Sequence, residues 1–160
     1  MAIETTDRPF TAFRSEAEIL EIVEGFRRRD LPQLRWTHQA HLTVGLWHVL
    51  NRPADLVLEE LRRGIIAYNE AVGTVNDDVG GYHETITAFY VWAIRRFVEE
   101  TAKAPPLLAF TNALLASPYA AKAFPFEYYS RACLLSVAAR RGWLEPDLKP
   151  LSQTTAVSRR

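Results

Sequence analysis

The sequence predicts an all-α protein, a single compact bundle of about six helices. Three observations carry that expectation. Apolar residues recur at three- and four-residue steps along nearly every segment, no segment sustains the alternation of a strand, and capping or breaking residues stand where such helices need ends. A chain of 160 residues is of a size for one domain, and with 48% apolar and 24% charged residues its composition is that of an ordinary globular protein. The helical domain is expected over residues 1–151, with 152–160 a disordered tail.

The first helix starts at Ser15, where Ser15 and Glu18 form a Ser-x-x-Glu capping box, and continues on a stripe of Ile19, Val23 and Phe26. Arg27, Arg28 and Arg29 close it, cations that complement the negative end of the helix dipole. A second helix runs from about Thr37, its cap, to Leu50. A third starts at Pro53, carries Leu58, Leu61, Ile65, Tyr68 and Val72, and stops at Gly73 in the left-handed conformation. The loop Thr74 to Tyr82 is rich in Gly, Asn and Asp, which tolerate tight turns. A fourth helix, His83 to Lys103, ends before Pro105-Pro106, and a fifth covers Leu107 to Ala116. Residues 119–129 are irregular and aromatic, a packed connection, and a last helix begins at Ser130 and ends in Arg140, Arg141 and Gly142.

Charge and cysteine count exclude several function classes. Nineteen basic residues balance nineteen acidic ones, whereas a nucleic-acid binder carries a clear basic excess. Cys133 is the only cysteine, so neither an internal disulfide nor a CxxC pair can form, and a reducing compartment fits best. Met1 to Arg14 lacks the apolar stretch of a secretion signal, and no later run has the length of a membrane span. The expectation is a cytoplasmic protein without membrane or nucleic-acid partners. No P-loop, dinucleotide fingerprint or nucleophile elbow occurs, and Cys133 reads as an inert thiol inside a helix.

The histidines are the one clustering of chemically capable groups. His38, His41 and His48 share an arc of roughly 80° on the second helix with Gly45 in its middle, at about 100° of rotation per residue. Gly45 has no side chain and leaves space on that face, at a cost of about 1 kcal/mol relative to Ala. His38 and His41 are about 4.5 Å apart along the axis, whereas His48 lies about 10 Å beyond His41 and falls outside the site. His83 faces the same side as Ile86, Tyr90, Ile94 and Phe97, with Thr87 one turn along.

That placement supports a divalent metal held by His38, His41 and His83, with Glu84, Asp77 or Asp78 as a fourth ligand or as the base acting on bound water. Imidazoles suit zinc, iron or nickel, and such a site would do metal-assisted chemistry on a small molecule. Tyr68, Asn69, Asn76, Tyr82 and Thr87 are placed to touch that molecule, or merely to tie down the loop. His-x-x-His lacks the intervening Glu and the four-residue step of a zinc-protease helix, so two other readings stand beside this one. One is a metal-free pocket between His41, His83, Tyr68 and Tyr82. The other is a structural protein that forms a homodimer through aromatic surface; Trp47 and Trp92 fall opposite the histidine faces and point to a second buried surface.

Trp36-Thr37-His38-Gln39-Ala40-His41-Leu42, Gly81-Tyr82-His83-Glu84-Thr85-Ile86-Thr87 and Glu145-Pro146-Asp147-Leu148 resemble segments of a group of small bacterial helical proteins of uncharacterised activity. That resemblance implies no reaction. Three histidines in a helical bundle are also loosely similar to the DinB-like metal-binding bundles, at the level of fold, without that family's spacing.

Overall fold

The structure, a computed structural model, describes residues 10–101, 103 and 105–153. The expected tail lies outside these residues from 154 onward. Among the described residues the protein is all-α, with seven α-helices and no strand. They are α1 (Glu16–Arg28), α2 (His38–Asn51), α3 (Val57–Ala71), α4 (Glu84–Glu100), α5 (Leu107–Ala116), α6 (Arg131–Leu134) and α7 (Val137–Arg141). None of them is long and apolar enough to cross a membrane.

Local chemistry sets most of the boundaries. Ser15 caps α1 by accepting the Glu18 amide, while the Glu18 carboxylate reaches past the cap to the Arg14 amide, so the reciprocal half of the box falls one residue earlier than expected. Arg29 turns the chain out of α1 at φ +65°. Thr37 caps α2 through the Ala40 amide, and Gly73, at φ +80°, follows the end of α3 as its spacing predicts. Pro53 does not open α3. It starts a turn closed by the Leu56 amide on Pro53 O, and the helix begins at Val57.

The expected single helix from Ser130 to Arg141 is two. Ser130 caps α6 through the Cys133 amide, and six residues on Ser136 caps α7 through the Ala139 amide. A serine that reads as helix interior by spacing instead takes extended backbone and restarts the helix, because its hydroxyl competes for the local amides.

Helix α4 is the central post. It supplies Val91 to a core shared with Ile19, Val23 and Phe26 of α1 and Leu61 and Tyr68 of α3. It supplies Ile94 to a second core with Leu42 and Leu46 of α2 and Leu114 of α5. To a third it gives Phe89 and Ala93, against Phe124, Tyr128, Tyr129 and Leu134. Two short 3-10 turns, Pro118–Ala120 and Phe124–Glu127, shape the aromatic segment 119–129, the packed connection expected from composition. The surface around Trp92 is covered within the chain itself. Its ring lies against Phe89 and Tyr128, and its Nε1 donates to Ser152 O at 2.8 Å. The second buried surface read from Trp92 is therefore, on that side, intramolecular.

Candidate functional site

Helices α2, α3 and α4 leave between them two adjoining cavities. The outer one, of about 440 Å³, lies under the loop Thr74 to Tyr82, and the inner one, of about 300 Å³, between α2 and α4. Both are lined by Trp36, His41, Ile65, Ile86 and Thr87, so they meet at these residues. Gly45 borders the inner cavity, where a Cβ would lie 2.7 Å from Cδ1 of Ile94. The helical glycine thus makes room for a close crossing of α2 and α4.

His41 stands where the cavities meet. Its Nδ1–H donates to Thr37 O at 2.8 Å, one turn back, which leaves Nε2 as an acceptor. The ring lies 3.8 Å from that of Trp36, which stacks in turn on Phe26 at 4.8 Å. By surface area His41 is exposed, yet it lines both interior cavities, so its exposed surface looks into them. Removal from bulk water pushes its pKa down to about 4, against a smaller opposing effect of the Thr37 hydrogen bond. At neutral pH the ring is uncharged.

The other histidines are engaged elsewhere. His38 Nε2 donates to Ala120 O at 2.8 Å, beside Tyr90, whose hydroxyl donates to Ala121 O. His83 does not open α4 but caps it: Nδ1 accepts the Ile86 amide at 3.2 Å and Nε2–H donates to Leu134 O at 2.9 Å. Burial lowers its pKa, with Arg140 contributing in the same direction. His48 donates to Val44 O, away from this cluster, as its axial distance predicts.

Glu84 belongs to a different environment. Its carboxylate takes the Nε and Nη2 of Arg62 and the hydroxyl of Tyr82, the last at 2.6 Å. The Arg62 hydrogen bond holds its pKa below the usual carboxylate range. With Asp77 and Asp78 it lines a third cavity of about 480 Å³ that no histidine borders. Among the described residues no three His, Cys, Asp or Glu side chains are grouped to hold one metal ion.

The remaining expected contacts divide between cavity and scaffold. Tyr68 lines the outer cavity with its ring, but its hydroxyl is spent on Leu31 O. Asn76 fastens the loop: Oδ1 accepts from Asn69 and from the Tyr82 amide, and Nδ2 donates to Ile66 O. Gly81 sits over it at φ +74°, where a Cβ would lie 2.5 Å from Val75 O. Thr87 lines both cavities, its hydroxyl bonded to His83 O. Trp36, Ile65, Tyr90 and Arg140 complete the walls and were not picked out as site residues by sequence. Arg140 reaches from α7 to donate Nη1 to Gly81 O and Tyr82 O at 3.1 and 3.3 Å, across 59 and 58 positions of chain.

Three rings with lowered pKa, the buried His48 and His83 and the cavity-lining His41, give the fold a pH dependence. Unfolded imidazoles bind protons from about pH 6.5 downward. Folded His41, His48 and His83 resist protonation until lower pH, about 4 for His41. The unfolded state therefore binds more protons between these limits, and stability falls as pH is lowered. Urea midpoints are expected to be flat above pH 7 and to decline from about pH 6.5, before carboxylates titrate. A midpoint unchanged between pH 7 and pH 5 would contradict this account of the rings.

No protein-family model, curated protein or solved structure matches the chain.

Proposed function

We propose that this protein binds a small organic molecule in the paired cavities between α2, α3 and α4, without a resident metal. One observation carries the reading: the cavities meet at His41, whose Nε2 acceptor is given to no protein donor among the described residues. The inner cavity takes an apolar body against Leu42, Val44, Ile94 and Tyr90, and the outer one takes the polar end. A neutral imidazole accepts a hydrogen bond from a ligand hydroxyl or amine. This is the pocket expected between His41, His83, Tyr68 and Tyr82, with His83 serving as wall and cap.

The test is 1-octanol titrated into the ¹⁵N-labelled protein. Saturable shifts are expected at Trp36 and Thr87, which border both cavities. In Gly45→Ala the new methyl must displace Cδ1 of Ile94, the far end of a flexible side chain, into the cavity both residues line. Binding should weaken severalfold while the variant stays folded, since alanine restores helix propensity worth about 1 kcal/mol. Equal affinity in the two proteins, or shifts confined to other surfaces, would defeat the proposal.

The metal reading competes on other grounds. As arranged, the donor set does not fit an ion: His83 would have to release the Ile86 amide or Leu134 O, and Glu84 would have to leave Arg62. Elemental analysis for zinc, iron and nickel, and melting with each metal added, separates the two readings. For the dimeric structural reading, sedimentation at low concentration would have to show a dimer that persists in the His38, His41 and His83 triple variant.

A further inference from the structure

Arginines near the third cavity follow one pattern. Arg62 and Arg141 each present the Nε and Nη2 edge of the guanidinium to a carboxylate, Glu84 and Asp78, and Arg52, just after α2, does the same with Glu60 of α3. Two parallel N–H donors on one planar edge match the two oxygens of a carboxylate, which makes this the strongest grip an arginine has. Arg140 departs from the pattern. Only its Nη1 is used, on the carbonyls of Gly81 and Tyr82, and among the described residues its Nε and Nη2 edge meets no acid.

The position of that unmatched fork is informative. Arg140 is half-buried and lines both the third cavity and the outer cavity, in the wall that divides them. Its two bonds to the 81–82 backbone hold the guanidinium in place, so a ligand would meet a cation already oriented. The outer cavity that it shares with His41 opens at Thr87 and Ile86 into the inner one. In the inner cavity Tyr90 and Thr87 give their hydroxyls to Ala121 O and His83 O, which leaves His41 Nε2, at the junction, to accept from the ligand.

Resting on the reading that these cavities bind a small molecule, we infer that the ligand is an amphipathic carboxylate. Its carboxylate takes the Nε and Nη2 edge of Arg140 in the outer cavity, a hydroxyl or amine donates to His41 Nε2, and its hydrocarbon or aryl body extends into the inner one. The inner space, about 300 Å³, equals the liquid volume of about ten water molecules at about 30 Å³ each, room for a body of comparable size.

Octanoate and 1-octanol, equal in chain length and different in charge, test it in parallel titrations of the parent, Arg140→Gln and Arg140→Lys. Octanoate is expected to bind the parent about tenfold or more tightly than 1-octanol. In Arg140→Gln that advantage should vanish, read as the ratio of the two affinities within the variant. Arg140→Lys keeps a charge and a donor for the loop but lacks the fork, so its ratio of octanoate to 1-octanol affinity should fall severalfold; it decides the matter if the Gln variant disturbs the loop. Equal affinities for the two probes, or an octanoate preference untouched by both variants, would overturn the carboxylate inference and leave the cavity reading standing. If neither probe binds, or shifts avoid Trp36 and Thr87, both fall.

Discussion

Replacing His83 by alanine is expected to destabilise the protein by about 2 to 4 kcal/mol, read from the urea midpoint at constant slope. Two losses add. The first is the cap of α4, where a side chain accepts the Ile86 amide, a position worth about 1 kcal/mol. The second is the bond to Leu134 O, whose loss leaves a buried carbonyl unpaired at about 1 to 3 kcal/mol. His83→Asn separates the two, since asparagine caps helices well but is too short to span to α6, and it should recover about 1 kcal/mol. A loss below 1 kcal/mol for alanine would mean that neither bond matters in solution. Chelator should leave parent and variant alike, whereas a parent that chelator destabilises to the level of His83→Ala would point to a ligand role.

The second large effect is at Phe89. Its side chain is fully buried, and its ring lies 5.4 to 6.1 Å from those of Trp92, Phe124, Tyr128 and Tyr129. Phe89→Ala is expected to cost about 3 to 5 kcal/mol, the removed surface plus the void that rings cannot collapse to fill. Phe89→Leu should lose clearly less. This aromatic core touches the cavity walls through Ile86 and Tyr90, which pack against it, so 1-octanol binding by the folded fraction should weaken at most severalfold in Phe89→Leu. A cost below about 1 kcal/mol for alanine would show that the cluster is loosely packed.

The sequence made the fold legible wherever the deciding chemistry was local. Thr37, Ser130 and Gly73 do at their positions what their residue types do anywhere, and Pro105-Pro106 falls in the connection between α4 and α5. Pro53, which starts a turn and not α3, was one exception and Ser136 another, since a serine inside helical spacing is ambiguous until its hydroxyl is seen to choose the Ala139 amide. The site was legible to the same depth. Helical rotation sets His38 and His41 on the face of α2 that meets α4, and Thr87 and Ile86 opposite. It does not tell which ring nitrogen is already taken, because the carbonyls that take them come from 82 positions away for His38 and 51 for His83. Arg140 looked like an ordinary cation closing a helix; only the approach of α7 to the 81–82 turn gives it a place in a cavity wall.

The interruption between α6 and α7 has a consequence for α4. In an unbroken helix the carbonyl of residue 134 would be consumed by the amide four positions later. With the rod cut at Leu135 and Ser136, that oxygen is left over, just as the first amides of α4 are. One imidazole joins the two leftovers, taking a hydrogen at one nitrogen and giving one at the other. The defect at one helix's end and the deficit at another's start are thus complementary, and a chain that mended either would strand the other.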